Sequence, residues 1–215
     1  VMTTTATSLT IAEPLTIPGT LDLRSLGGIT QDGAGSLWVG TLAGASGGST
    51  VLTNPANMIS SVAGFAAGGD FLLSSQEVPL SVPGGSTVTA GGTLLIQVTW
   101  GSLLVDGTVV GGTTSLISDR SVTVNGFSAI ATAGSLLLQA PVVTLAGLAQ
   151  AAGDIVVDAS SSANLSGIAR TPGALLITSP GVTFGGLDAH TADVRLTLGT
   201  GGYASGAVDA GGMLV

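Results

Sequence analysis

The sequence predicts an all-β chain folded as a right-handed parallel β-helix, a β-solenoid of about ten coils of about 20 residues with a triangular cross-section. The first observation is a glycine followed, after one further residue, by a short apolar strand, and this motif recurs in steps of 19–23 residues. Its copies begin at Gly48, Gly69, Gly92, Gly112, Gly134, Gly153, Gly173, Ala192 and Gly212. A unit this short cannot bury its apolar side alone, so successive units must stack as coils. The crossover rule for parallel strands favours a right-handed helix.

A second strand in each coil is the next observation. In six coils a glycine ends a short segment in which the residues four and two positions earlier are apolar. These pairs are Leu80/Val82, Leu103/Val105, Val122/Val124, Val143/Leu145, Ala163/Leu165 and Val182/Phe184. The residue between the two is polar in five of the six coils. Such a two-residue alternation is typical of a strand with one buried face.

A third, shorter side adds one apolar residue per coil and completes the triangle. The residues predicted to point inward on this side are Val88, Val109, Ile130, Leu148, Ile168, Leu187 and Val208. Three apolar columns that face one axis require a coil with three sides. No apolar repeat of about 3.6 residues extends beyond one turn, so the sequence predicts no helix.

The chain divides into two continuous parts according to the regularity of this repeat. Near its start, apolar pairs recur every six residues, one pair for each side of a coil. They are Leu9/Ile11, Leu15/Ile17 and Leu21/Leu23. From Ser25 to Gly48 the register is looser, which indicates a distorted coil or a loop. Residues 1–48 are therefore interpreted as irregular coils or a capping segment, and residues 49–215 as the regular solenoid.

The composition excludes several classes of function. Only 7% of the residues are charged, with twelve acidic residues against four arginines and no lysine, so the chain lacks a basic surface for nucleic acid or anionic lipid. The absence of cysteine excludes disulfides, thiolate metal sites and cysteine nucleophiles. No apolar run is long enough for a membrane-spanning helix. The first residues, from Val1, lack the basic and apolar segments of a signal peptide.

The repeat resembles that of filamentous haemagglutinin-like and autotransporter-type exoproteins. The resemblance rests on the pattern of a glycine, a short strand, a Val-Thr-Leu-type strand and a second glycine between Phe65 and Gly212. It implies a bacterial β-helical shaft that projects from the cell or forms an extracellular filament. The family's secretion domain carries an Asn-Pro-Asn-Gly type motif, from which residues 54–57, Asn-Pro-Ala-Asn, depart. No catalytic or binding residue is carried over from the resemblance.

One cluster of polar residues could carry chemistry. Asp188, His190 and Asp193 lie close together in the sequence, and Arg170, Arg195 and Asp209 fall near them in the stacking register. One interpretation makes His190 a base or the acids a cation site. The other, which we favour, is a solvated corner with ion pairs between coils.

Other isolated residues have simple structural explanations. Asp154 and Asp193 could pair as glycosidase acids, but both follow a turn residue, as Asp70 does, and turn chemistry explains all three. Trp38 and Trp100 could bind sugar rings or pack locally. Calcium-binding nonapeptides and stacked ranks of threonine are absent, so the sequence predicts neither a cofactor nor a metal.

Two features indicate self-association. The residue in the middle of the strand after each repeating glycine should face solvent, yet in five coils it is a large aliphatic residue. This candidate lateral interface is Leu72, Leu95, Leu137, Val156 and Leu176, and Ser115 and Arg195 are the exceptions. We expect another rod, another subunit or residues 1–48 to cover it. The candidate head-to-tail end is Met213, Leu214 and Val215, which finish inside a strand without a polar capping coil.

The function most consistent with these observations is structural. We expect a β-solenoid segment of a bacterial surface adhesin or extracellular filament, not an enzyme, with itself and host or cell-surface glycans as partners and no nucleic acid. One alternative is a polysaccharide-degrading enzyme, which a lateral groove with three or more clustered carboxylates would support. Another is an ice- or sugar-binding module, which a flat rank of threonine or an aromatic platform would support.

Overall fold

The computed structural model describes residues 7–190, 193–210 and 213–214. Within these ranges every regular element is a β-strand, and all neighbouring strands pair in parallel. The 22 strands form one continuous sheet that winds into a solenoid with three faces, named A, B and C in chain order. The described residues contain no helix that could span a membrane.

The shorter strands each lie within one face. Face A contains β1 (Leu9–Ile11), β3 (Ile29–Gln31), β5 (Thr50–Leu52), β7 (Phe71–Gln76), β10 (Leu94–Thr99), β13 (Thr114–Ser118) and β22 (Met213–Leu214). Face B contains β8 (Leu80–Val82), β11 (Leu103–Val105) and β14 (Ser121–Val124). Face C contains β9 (Thr87–Ala90), β12 (Thr108–Gly111), β15 (Ala129–Thr132), β17 (Leu148–Ala151) and β19 (Ile168–Arg170).

The longer strands turn a corner without interruption. Strands that continue from face B into face C are β2 (Leu15–Ser25), β4 (Leu37–Ser46) and β6 (Met58–Ala67). Strands that continue from face A into face B are β16 (Leu136–Leu145) and β18 (Ile155–Leu165). Strands that follow all three faces are β20 (Ala174–His190) and β21 (Asp193–Ala210).

Adjacent strands of face A are one coil apart. The step from Leu136 to its partner Ile155 is 19 residues, and the step from Phe71 to Leu94 is 23 residues. The described strands make about nine to ten turns. The predicted parallel β-solenoid with three-sided coils is therefore confirmed.

The repeating glycines lie at the corner before face A. From Gly48 to Gly153, the N–H of each donates to the carbonyl of the corresponding glycine one coil earlier, at 2.5–3.1 Å. Because these groups pair along the axis, the corner continues the hydrogen-bond ladder of the strands. The period found in the sequence is therefore the spacing of the coils.

A continuous apolar core fills the axis of the solenoid. All twelve face B residues that the sequence predicts to point inward are at most 6% exposed. The rings of Phe65 and Phe71 pack against each other, with centroids 4.9 Å apart. Each fully buried aliphatic or aromatic side chain contributes about 1.5–3 kcal/mol. This core stabilises each coil only through its neighbours, which is the physical reason for the stack.

On face C the predicted inward residues are correct in four coils and wrong in two. The correct residues, at most 1% exposed, are Val88, Val109, Ile130 and Leu187. Leu148 and Ile168 are half-buried, and their successors Ala149 and Ala169 point inward at 0% exposure. The register confirms this, because Ile130 pairs with Ala149. The sequence prediction chose the larger apolar residue of each pair. The side chain of Val208 lies outside the described residues.

Residues 7–48 build the first two coils. Strand β1 pairs with β3 and β2 pairs with β4, and β3 and β4 pair onward with β5 and β6. The segment from Ser25 to Gly48 is thus a coil paired on both sides. Its register shifts beside Ile17 and Leu42.

A buried polar junction links coils near the start of the chain. Asn57 is fully buried, and its side-chain oxygen accepts hydrogen bonds from the Leu37 N–H at 2.9 Å and from Gln31 Nε2 at 2.7 Å. Its Nδ2 donates to Gln31 Oε1 at 3.0 Å and to the carbonyls of Leu52 and Ser74 at 3.0 and 3.2 Å. Both ends of the amide are therefore satisfied inside the core.

The preceding asparagine completes the same junction. Asn54 Nδ2 donates to the Gly35 carbonyl at 2.6 Å, and Asn54 Oδ1 accepts from the Ala56 N–H at 2.9 Å. The Asn54 N–H donates to Gln31 Oε1 at 3.2 Å. In this chain the Asn-Pro-Ala-Asn segment is thus a structural tie between neighbouring coils.

Candidate functional surface

Face A carries an apolar column on its outer side. The column, in register from coil to coil, is Val51, Leu72, Leu95, Ser115, Leu137, Val156 and Leu176. All of these side chains are partly exposed. Arg195 follows Leu176 in the register and ends the apolar run. The five predicted aliphatic residues therefore lie in one column, the ridge, which Ser115 interrupts between Leu95 and Leu137 and Val51 extends by one coil.

Residues 7–48 do not cover this ridge. This segment is built into the stack as two coils. Its own residue in this column is Thr30, which pairs with Val51 and is exposed. Residues 7–48 are thus not the cover, and the other covers expected from the sequence are another rod or another subunit.

Polar side chains flank the ridge on both sides. The column before it consists of Ser49, Asp70, Thr93, Thr113, Ser135 and Asp154. The column after it consists of Thr53, Ser74, Gln97, Ile117, Gln139 and Asp158. The apolar ridge is thus one residue wide and lies between two mainly polar columns.

The aspartates before the ridge connect successive coils. Asp70 Oδ1 accepts from the Thr93 N–H at 2.8 Å, and Asp154 Oδ1 accepts from the Ala174 N–H at 2.9 Å. Ser49 Oγ accepts from the Asp70 N–H in the same way, at 3.0 Å. These contacts agree with the turn interpretation of Asp70 and Asp154. Both carboxylates therefore accept hydrogen bonds from backbone N–H groups of the next coil.

A groove follows the other side of the ridge, at the corner between faces A and B. It consists of two cavities of about 300 and 280 Å3 that share Gln97 and Thr99. We call it the corner groove, and its lining includes Thr53, Ser74, Gln76, Gln97, Thr99, Ile117, Asp119, Gln139, Pro141, Asp158 and Ser160. The sequence interpretation missed this groove. Gln97 and Gln139 at the same position of the repeat were the available signal.

The polar cluster near the C-terminal part is only partly described. In the backbone register Arg170 pairs with His190, and Asp188 lies between Ile168 and Asp209. The side chains of Asp188 and His190 lie outside the described residues.

Asp193, the third member of that cluster, forms an ion pair with Arg195 at 2.9 Å. The Arg195 side chain is 58% exposed, and exposed pairs contribute about 0–1 kcal/mol. Within the described part of the chain, no three histidine, aspartate or glutamate residues are grouped to hold a metal ion.

The expected head-to-tail end is described only in its backbone. Met213 and Leu214 form β22, which pairs with Asp193 and Val194 of β21. Their side chains and the whole of Val215 lie outside the described residues. The head-to-tail contact therefore stays a prediction.

Comparison with known proteins finds no match to this chain. No protein-family model matches the chain, and no curated protein or solved structure is significantly similar to it. The fold alone therefore assigns the class, and the chain is a parallel β-solenoid repeat protein. Further assignment depends on the chemistry of its outer surfaces.

Proposed function

We propose that this protein is a structural, non-enzymatic segment of a bacterial surface adhesin or extracellular filament that acts through self-association and surface contact. The observation that carries the proposal is the apolar ridge of face A, which stacks in register over seven coils. The repeat's resemblance to secreted β-helical exoproteins supports an extracellular or cell-surface location. An acidic chain without lysine has no surface suited to nucleic acid.

The partner that best fits the ridge is a second copy of this chain. Its side chains repeat once per coil, about every 4.8 Å, and a second ridge has the same spacing. Two such ridges can therefore pack side by side over their whole length. A partner without this period would match the ridge in only one or two coils.

The size of the face predicts a weak contact. From Val51 to Leu176 the ridge spans six steps, about 29 Å, and the outward residues of one strand span about 20 Å. This gives about 600 Å2 per partner, against about 800 Å2 for a standard stable interface. We therefore expect association that depends on concentration in this segment. Repetition along a longer assembly would strengthen it.

The like charges on this face oppose association, and salt weakens that opposition. The columns that flank the ridge contain Asp70, Asp154 and Asp158, and the first two are engaged with backbone N–H groups. Repulsion between exposed carboxylates of two copies is screened at physiological ionic strength, over about 8 Å. The apolar contact between the two ridges is not screened by salt.

Replacing Leu137 with glutamine should weaken self-association about tenfold, because a second polar side chain beside Ser115 would break the apolar run from Leu137 to Leu176. The matched control is Leu104→Gln, which changes a half-buried, outward leucine on face B. Sedimentation velocity over a concentration series measures both variants against the unchanged chain. A chain that stays monomeric throughout, or equal weakening by Leu104→Gln, would contradict the proposal.

A further inference from the structure

We infer that the corner groove binds a neutral, linear glycan whose chain lies parallel to the solenoid axis. This inference adds a ligand and a site to the proposed function and does not depend on self-association. The column Ser74, Gln97, Ile117, Gln139 and Asp158 places one side chain per coil along the groove. These five residues are separated by four steps of about 4.8 Å, which gives a track about 19 Å long. Such a track suits a polymer with repeating units.

Free hydrogen-bonding groups along the groove match a ligand rich in hydroxyls. Within the described part of the chain, the side-chain amides of Gln76 and Gln97 have no hydrogen-bond partner in the protein. An amide both donates and accepts, as a sugar hydroxyl does. Gln139 Nε2 donates to Asp158 Oδ2 at 2.9 Å, which fixes the amide and leaves its oxygen able to accept.

An exposed tryptophan on an unusual backbone lies one residue beyond the groove lining along the chain. Trp100 follows the groove residue Thr99, is 67% exposed and has φ of 66°. Glu77, one coil earlier at the same corner, has φ of 64°, and its N–H donates to the Thr99 carbonyl at 2.9 Å. Among the described residues these are the two non-glycine positions with left-handed φ. Such strain persists where other contacts impose it and is concentrated at binding sites.

A groove-lining carboxylate binds the backbone N–H of this tryptophan. Asp119 Oδ2 accepts from the Trp100 N–H at 2.6 Å. The Asp119 side chain lines the same groove. The strained backbone at Trp100 is thus tied to the groove wall, and the exposed indole that follows the groove residues in the chain offers a large flat apolar surface. A sugar presents both a ring face and hydroxyls, so this combination fits it.

The net charge of the groove determines whether it favours neutral or charged glycans. Glu77, Asp119 and Asp158 lie in or beside the groove, and Arg120, next to Asp119, is the neighbouring cation, which gives a net formal charge of −2 (one positive, three negative). Uronates, sulfated sugars and nucleic acids would be repelled. The groove therefore favours a neutral chain.

The backbone disfavours an extended peptide as the occupant. Strands β10, β13 and β16 are each paired on both sides. They have no free edge to which a peptide strand could add, and that addition supplies most of the affinity in such complexes. Recognition in the groove must come from side chains, as it does for sugars.

The test is a titration of the unchanged chain with cellohexaose, laminarihexaose, chitohexaose and hexagalacturonate, followed by calorimetry and NMR. We expect at least one neutral hexasaccharide to bind with Kd below about 1 mM. Trp100→Ala and Gln97→Ala should each weaken that binding about fivefold or more. The control Trp38→Ala changes an equally exposed tryptophan on face B and should leave binding unchanged.

Several results would overturn the inference. They are no binding of any neutral hexasaccharide at millimolar concentration, binding unaffected by both groove variants, or equal binding of hexagalacturonate. Sedimentation velocity on the same samples measures self-association separately, so that failure of glycan binding can be distinguished from failure of the proposed function. Trp100→Ala, which lies beyond the face A strand Leu94–Thr99, should leave association intact, and Leu137→Gln should leave glycan binding intact.

Discussion

Replacing Asn57 with alanine is expected to lower the free energy of unfolding by about 3–5 kcal/mol. The substitution leaves the Leu37 N–H, the Gln31 amide and the carbonyls of Leu52 and Ser74 without their partner inside the core. Each buried polar group left unsatisfied costs about 1–3 kcal/mol. Urea unfolding followed by circular dichroism measures the change, which should also appear as a lower thermal midpoint.

A matched control for this prediction is Asn164→Ala. Asn164 is exposed on face B and pairs in register with Thr144 and Thr183. Its replacement should change stability by less than about 0.5 kcal/mol. If Asn57→Ala were as mild as this control, the buried junction would not be a stabilising tie between coils.

Replacing Gly147 with alanine is the second change expected to have a large effect, a loss of about 3 kcal/mol or more. Gly147 is buried at the corner between faces B and C. An added Cβ would lie 2.3 Å from the Asn125 carbonyl oxygen and 2.6 Å from the Ser128 carbonyl oxygen of the coil below. Both obstacles are backbone atoms of a packed coil, so neither can rotate away. Circular dichroism during urea unfolding measures the loss.

The control is Gly126→Ala, one coil earlier at the same corner. There an added Cβ would meet nothing nearer than 3.8 Å, and the backbone does not have a left-handed φ. We expect no destabilisation, because alanine also restricts the unfolded chain. Equal effects at the two glycines would show that the coils are not packed as closely as the structure describes.

The sequence was sufficient to predict the coils because the solenoid repeats one physical requirement many times. Glycines at one corner and two apolar residues on face B recur in each coil, and the structure buries all twelve of those face B residues. The prediction was wrong in two coils of face C, where a single inward residue per coil had to be identified. At Leu148-Ala149 and Ile168-Ala169 the inward position belongs to alanine, since the corner before it fixes the register.

The outer surface was predicted less completely. The apolar ridge was visible in the sequence because alternation makes an outward leucine conspicuous. The corner groove was not visible, because its residues come from six coils and depend on how the chain turns after face A. The role of Asn57 was also hidden, since a single asparagine gives no sign of burial without its partners from other coils.

The most direct test of the proposed self-association is the accessibility of single thiols on two faces. The natural chain has no cysteine, so Ser115→Cys provides one probe in the middle of the ridge and Thr123→Cys one on face B. The rate of reaction with a maleimide-linked polymer is measured at low and high protein concentration. We predict strong protection at high concentration for Ser115→Cys and none for Thr123→Cys. Equal reactivity of the Ser115→Cys thiol at all concentrations, or equal protection of both thiols, would contradict self-association through face A.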